Sequence, residues 1–310
     1  MNLNKEKNFI SAVIYVFNAA DTVYDFLKKI DTLLSEKFEK VELICVNDAS
    51  CDNGIDKIKK YSDETNSVLT VLNMSFHQGL ELSMNAGVDL AIGDFVYEFE
   101  STILTYPEKL LGEIYDKALQ GYDIVTASPK TNRNIASQLF YRIYNKNSNA
   151  QYPLQTEAFG LISRRALNRV KAMSQTIAYR KAVYANCGLR KTVIEYELLQ
   201  AMPQATPSQK RDYWNTAVDA LILYTNLAFR CTMAFSFLMM FAMFGMVVYT
   251  LIIYFRGIPI AGWSSTILFL SFAFFGVFAV LTAIIKYLSI LLKLNYNRLN
   301  YVIESINKMK

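Results

Sequence analysis

Two stretches in the last third of this chain contain no acidic or basic side chain. Cys231 to Phe255 runs for 25 residues and Gly257 to Ile285 for 29, with Arg256 between them. A helix needs about 20 apolar residues to cross a hydrocarbon core ~30 Å thick, so each stretch can span a bilayer with some tilt. The alternative is a pair of buried core helices, but a soluble core rarely needs two uncharged runs of this length in succession. The link from Arg256 to Trp263 is short, carries Gly257, Pro259 and Gly262 to turn the chain, and ends on a tryptophan suited to a headgroup layer. A two-span hairpin follows, with residues 1–230 and the C-terminal segment on one side.

Positive charge selects that side. Lys286, Lys293, Arg298, Lys308 and Lys310 follow the hairpin, and Lys210, Arg211 and Arg230 precede it, whereas its tip has Arg256 alone. By the positive-inside rule both ends are expected in the cytoplasm. Met1 to Asn8 is polar, and Phe9 to Ala20 lacks a signal-peptide cleavage pattern and reads as a strand. The four cysteines have neither paired spacing nor nearby histidines, so reduced, structural thiols are expected rather than a zinc site. A net charge of +5 without a basic stripe gives no reason to expect nucleic acid.

Residues 9–130 alternate apolar runs with amphipathic segments. Strands are expected at Ser11–Phe17, Val41–Val46, Val68–Met74, Phe95–Phe99 and Asp123–Ala127. Helices are expected after Asp21, which can cap the first, over Leu80–Ile92, from Pro107, and over Asn132–Asn147. Such alternation implies an α/β domain with a mostly parallel sheet covered on both faces. Ligands of such sheets bind at the carboxyl ends of the strands, which directs attention to Asn18 onward, Asp48 to Asp52, and Glu100 to Thr105. The chain divides as a soluble domain at 1–199, a linker and amphipathic segment at 200–230, a membrane hairpin at 231–292 and a basic tail at 293–310. In the second of these, Trp214, Val218, Leu221 and Ile222 suit a membrane surface.

Asp48 and Asp52 stand just past a buried strand, where carboxylates can meet a base or ribose; Asp52 serves equally well as a helix cap. Glu98 and Glu100 share one strand face, and at a carboxyl edge such a pair can hold a hard cation or form a solvated edge. Lys130, Arg133, Arg142, Lys146, Arg164 and Arg165 are the basic residues that could meet a phosphate, Arg142 on a helix; surface charge near an anionic leaflet is the alternative for each.

These motifs, in this order, resemble family 2 glycosyltransferases of the GT-A fold, and among them the membrane-anchored polyprenyl-phosphate glycosyltransferases. Ser11 to Asn18 resembles the family's opening strand, and Val46-Asn47-Asp48-Ala49-Ser50-Cys51-Asp52 its nucleotide motif. Ser75 to Glu81, Ala86-Gly87, Gly93-Asp94-Phe95 and Phe159 to Arg165 follow in the family's register, and two C-terminal spans complete the pattern. The resemblance implies a Rossmann-like GT-A domain followed by two transmembrane helices. It implies nucleotide contacts at Asn18, Asp48, Asp52, His77 and Gly79, and an acceptor phosphate at Lys130, Arg142 and Arg164. The family's metal-gripping Asp-x-Asp falls on Glu100-Ser101-Thr102, so Mg2+ or Mn2+ is expected at Glu100 and Thr102. The family's acidic residue before the later Phe, its base or acceptor-positioning group, falls on Ala158 with Glu157 one residue earlier, and the resemblance implies a catalytic carboxylate at Glu157.

The activity implied is inverting transfer of a sugar from a nucleotide-diphosphate donor to an undecaprenyl-type phosphate at the cytoplasmic leaflet, for cell-envelope glycan modification. The resemblance also implies self-association into a homo-oligomer through the spans and tail. A second reading is a catalytically degenerate member that binds nucleotide or a partner subunit. A transporter is excluded, since two helices without an intramembrane charge offer no pathway of their own.

Overall fold

The computed structural model describes residues 5–131, 134–173, 179–200, 206–256, 263–295 and 301–310; Arg133, the link 257–262 and Arg298 lie outside them. The first elements are β1 (Glu6–Val16), α1 (Val23–Lys37), β2 (Phe38–Asn47), α2 (Gly54–Ser62), β3 (Val68–Met74) and α3 (Leu80–Leu90). Then come β4 (Phe95–Phe99), α4 (Lys109–Leu119), β5 (Ile124–Pro129), α5 (Ile135–Asn147), β6 (Phe159–Ser163) and α6 (Arg164–Met173). The chain continues with α7 (Arg180–Asn186), β7 (Lys191–Tyr196), α8 (Pro207–Tyr224), α9 (Leu227–Phe255), α10 (Trp263–Asn295) and β8 (Ile303–Lys308).

All eight strands join one sheet in the order β7-β5-β6-β4-β1-β2-β3-β8. β1 pairs in parallel with β2 and β4, β2 with β3, and β5 with β7. β6 runs antiparallel between β4 and β5, and β8 runs antiparallel along β3. The carboxyl ends of β1 to β5 therefore share one edge. The α/β expectation holds, and Val68–Met74 and Phe95–Phe99 form strands with the expected bounds. Each is an apolar run closed by turn residues, which is why it is readable without tertiary information.

Ile10, Ala12, Val13, Ile14 and Val16 are all fully buried, as expected for a central strand covered on both faces. On one face α1 packs Val23, Phe26, Leu27, Ile30 and Leu34 at helical spacing. On the other, α3 comes so close that a Cβ at Gly87 would lie 2.5 Å from both Val13 Cγ1 and Val46 Cγ2. Only glycine allows that approach, and it brings the loop ahead of α3 over the ends of β1 and β2. Two expected helix starts shift. α1 is preceded by Thr22 rather than Asp21, without a side-chain cap, and Pro107 lies one residue before the Glu108 that flanks α4.

β6, β7 and β8 were not expected. β8 lies in the basic segment after the second apolar run and covers the edge that β3 would otherwise leave unpaired. Met309 N donates to Leu69 O at 2.9 Å and Ser75 N to Val302 O at 3.1 Å. Met1–Ala220 with Asn297–Lys310 form one compact unit, and Leu221–Tyr296 form a second.

In the second unit α9 and α10 pack against each other. Phe229–Phe255 and Thr266–Leu288 have mean hydropathies of 2.2 and 2.6 and are 11% and 6% buried. Those small fractions exclude a pair of buried core helices. Phe241, Phe255 and Phe269 are largely exposed. Both helices are long and apolar enough to cross a membrane, which would give these faces an apolar solvent.

Candidate active site

Four loops meet at the shared carboxyl edge, following β1, β2, β3 and β4. Asp48, just past β2, is fully buried and organises two of them. It accepts from Tyr15 OH at 2.9 Å, from Gln78 N at 2.7 Å and from Gly79 N at 2.9 Å. The carboxylate so fixes the turn that opens α3, where Gly79 has φ 86° and leads into the helix's positive end. Both oxygens of Asp48 thus accept inside the chain and shape the backbone around it. Asn18 and Asp52 do similar work. Asn18, at φ 48°, accepts from Cys51 N through its side chain at 2.9 Å, and its own N–H donates to Ser50 Oγ at 3.1 Å. Asp52 accepts from Ala20 N at 2.7 Å and Gly54 N at 3.1 Å, so it ties the first loop to the second. Ala49 between them is held at φ 53°, a costly conformation for a residue with a Cβ.

His77 enters the same cluster. Its ring stacks on Phe17 at 4.1 Å between centroids, and Nε2 lies 2.8 Å from Asp212 Oδ2 on α8. Nδ1 lies 2.9 Å from Asp48 Oδ2, at an angle that makes this a charge contact without a hydrogen bond. Burial opposes protonation of the ring, but the Asp212 hydrogen bond and the charges of Asp48 and Asp212 outweigh it and raise the His77 pKa. A raised folded-state value means the imidazolium's stabilisation is full below the unfolded pKa of about 6.5 and is lost as pH rises through the folded value. Asp212→Asn is therefore expected to lower the melting temperature at about pH 5.5 and to leave it unchanged at about pH 9. Equal losses at both pH values would show that Asp212 does not act through His77.

Beyond β4 the acidic pair does hold a cation, but the cation is a side chain. Arg180, on α7, has a side chain only 1% exposed. Its NH1 lies 3.1 Å from Glu81 Oε2, its Nε 3.0 Å from Glu98 Oε2 and its NH2 3.2 Å from Glu100 Oε1. Lys181 next to it donates to Glu100 Oε2 at 2.9 Å and to Glu157 O at 3.3 Å. Burial works against both positive charges, yet the surrounding glutamates, Glu81 foremost for Arg180 and Glu100 for Lys181, raise the pKa of each. Burial likewise raises the Glu81 pKa. Tyr184 donates to Glu98, and Tyr213, one residue past Asp212, is in electrostatic reach of Glu100 and Lys181.

The remaining expected residues separate. Thr102 is buried, and its Oγ1 is 2.6 Å from Thr22 Oγ1. Glu157 is also buried; its Oε1 accepts from Lys191 Nζ at 2.7 Å and from Thr126 Oγ1 at 3.0 Å. Arg164 is at the opposite edge of the sheet, donating to Ala91 O at 2.9 Å and Gly93 O at 2.6 Å ahead of β4. Its neighbour Arg165 pairs with Asp123 ahead of β5, and neither is near the loops. Lys130 does extend from the carboxyl end of β5, 3.4 Å from Glu197, and Arg142 is exposed on α5. Tyr141, preceding Arg142, is in electrostatic reach of Lys181, so α5 borders the cluster. A cavity of about 450 Å³ opens beyond β2 and β3, lined by Asn47, Ser50, Lys59, Asn73, Glu304 and Asn307 among others.

Arg180, Lys181, Asp212 and Tyr213 were not anticipated from the sequence. The signal for the first two was available: Glu81, Glu98 and Glu100 sit among apolar residues of buried elements, and such carboxylates require a compensating cation.

The family model for glycosyl transferase family 2 matches residues 11–176. Among curated proteins, an uncharacterised glycosyltransferase of Synechocystis is 27% identical over 229 residues, 70% of each chain. A prophage bactoprenol glucosyl transferase homolog of Escherichia coli is 24% identical over 228 residues, 71% of this chain and 74% of that one. Among solved structures, a mannosyltransferase from Pyrobaculum calidifontis in complex with GDP-Man and Mn2+ superposes with a TM-score of 0.51 at 15% identity. That match covers 66% of this chain and spans only 60% of the mannosyltransferase. Glucosyl-3-phosphoglycerate synthase from Mycobacterium tuberculosis gives 0.50 at 12% identity, over 69% of this chain and 80% of that one.

Proposed function

Because this chain belongs to glycosyl transferase family 2, we propose that it moves a sugar from a nucleoside-diphosphate donor onto a polyprenyl phosphate at the cytoplasmic leaflet. The observation that carries the reading is the pairing of two elements in one chain. One is a GT-A sheet whose polar loops gather at the carboxyl edge; the other is a pair of helices apolar enough to lie in lipid. The bactoprenol glucosyl transferase relatives supply the acceptor class. The bias of Lys and Arg toward the chain flanking the helix pair supports the cytoplasmic side and the hairpin topology. Self-association as a homo-oligomer is part of the same proposal.

In this reading the nucleotide lies along the loops that Asn18, Asp48 and Asp52 hold in place, with Gly79 and the start of α3 facing its phosphates. Lys130 and Arg142 receive the lipid phosphate. An oxygen of that phosphate attacks the anomeric carbon as the bond from that carbon to the donor's diphosphate breaks. The electron pair leaves with the nucleoside diphosphate, and a single displacement inverts the centre. The attacking phosphate is already anionic, so no general base is required, in keeping with the engagement of Glu157 elsewhere. The mannosyltransferase neighbour was solved with Mn2+. Here both oxygens of Glu100 and the hydroxyl of Thr102 are engaged, and among the described residues no group of three His, Cys, Asp or Glu could hold a metal. The side chains at this position do not fit a resident cation.

Membranes containing the chain, given a panel of nucleotide sugars, undecaprenyl phosphate and Mg2+ or Mn2+, are expected to form a lipid-linked sugar. Glu100→Ala is expected to slow that reaction about 100-fold, because it releases the ammonium that Glu100 positions. Nucleotide binding without turnover of any donor would instead identify a non-catalytic, nucleotide-binding member. Full activity in Glu100→Ala would remove this edge from the reaction.

A further inference from the structure

The geometry points to a site in which Lys181, held by Glu100 and Arg180, supplies the positive charge for the departing nucleoside diphosphate, and no divalent cation is bound. This deepens the proposed sugar transfer and rests on it.

A resident Mg2+ or Mn2+ needs free oxygens in near-octahedral array, at least one of them a carboxylate. Glu100 is the only carboxylate of the expected pair, since the second position is Thr102. One Glu100 oxygen is 3.2 Å from the Arg180 guanidinium and the other 2.9 Å from the Lys181 ammonium. Thr102 spends its hydroxyl on Thr22 at 2.6 Å. The nearby Glu81 and Glu98 face away into the core, each closed by another edge of Arg180. A metal at Glu100 would have to displace Lys181 and then remain beside two positive side chains. The arrangement that excludes the ion also performs its electrostatic task.

Lys181 is the member able to touch a ligand. Its side chain is 12% exposed against 1% for Arg180. An ammonium has three donors, and among the described residues Lys181 directs two, to Glu100 Oε2 and Glu157 O. The third is available for a phosphate oxygen, as a charge-assisted hydrogen bond. Arg180 is a positioning residue: its three nitrogens lock Glu81, Glu98 and Glu100, and Glu100 in turn aims Lys181. A lysine so constrained delivers one fixed charge where a mobile ion would deliver two, which suits a site that also keeps the carboxylates of Glu81 and Glu98 out of solvent.

The test is calorimetric titration of UDP and of GDP into the full chain in detergent, once with EDTA and once with Mn2+, alongside Mn2+ electron paramagnetic resonance. The nucleotide that binds is expected to show the same affinity in both buffers, and the free Mn2+ signal to be unchanged by protein. Lys181→Met is expected to weaken binding about tenfold or more in both buffers, the loss of one charge-assisted hydrogen bond, and Lys181→Arg to recover most of it. Should Lys181→Met fail to fold, the buffer comparison on the unaltered chain still decides. Binding tightened about tenfold or more by Mn2+, or stoichiometric capture of Mn2+ by the protein, overturns the inference and leaves the sugar-transfer reading standing. Absence of binding by either nucleotide in either buffer overturns both.

Discussion

Arg180→Met is expected to cost about 3–5 kcal/mol, a large share of the roughly 5–15 kcal/mol that holds a typical domain together. Methionine nearly matches the arginine stem in volume, so the loss is one of charge compensation rather than packing. The buried carboxylates of Glu81 and Glu98 and the partly buried one of Glu100 lose the guanidinium that faces all of them. Burial already raises the Glu81 pKa with Arg180 present, and removal of the cation drives that carboxyl further toward the neutral form. The sign of the pH dependence follows. A carboxyl whose folded pKa is raised above its unfolded value favours folding as pH falls through the folded value, so the variant should be more stable at about pH 5 than at about pH 8. Arg180→Lys should recover only part of the loss, since an ammonium cannot present three donors along separate edges as the guanidinium does. Thermal denaturation followed by circular dichroism reads both effects. A melting temperature within about two degrees of the parent would show that Arg180 does not hold the site together.

This hub marks the limit of what the sequence discloses. β3 and β4 are local events: short apolar runs ended by Ser75 and Ser101, readable residue by residue. β6 to β8 are not. Lys191–Tyr196 is half-buried through Thr192, Val193 and Ile194, and Ile303–Lys308 is mostly exposed, so neither has the apolar content of a core strand. Their pairing partners, not their own composition, make them strands. The site divides in the same way. Asp48, Asp52 and Gly79 could be located because a strand, a turn and a helix start occupy consecutive sequence. The guanidinium that meets Glu98 and Glu100 arrives from 80 or so residues away. Glu98 and Glu100 were expected to hold a hard cation, and the arginine of α7 meets them instead; their position at a strand end does not tell an internal arginine from a metal. Arg164 follows a family motif and so reads as an acceptor contact, but β6 runs antiparallel and delivers it to the opposite edge of the sheet.

Glu157 and Lys191 provide the second large effect, and a way to separate structural from chemical roles. The two side chains are 5% and 1% exposed and 2.7 Å apart. Glu157→Gln alone leaves a buried ammonium without a counter-charge, and Lys191→Met alone leaves a buried carboxylate; each is expected to cost about 3–5 kcal/mol. Combined, the two changes remove both charges while the introduced amide oxygen still accepts from the Thr126 hydroxyl, so the loss should shrink to about 1 kcal/mol or vanish. The coupling between the single losses is then the signature of a buried pair. Sugar transfer supplies the independent readout. Lys181 contacts the backbone oxygen of residue 157, not its carboxylate, so neither substitution removes the proposed diphosphate contact. The refolded double variant is therefore expected to keep the parent's rate within a few-fold. A double variant as stable as the parent but slowed about 1,000-fold would return Glu157 to the chemistry, as a carboxylate whose charge the reaction uses.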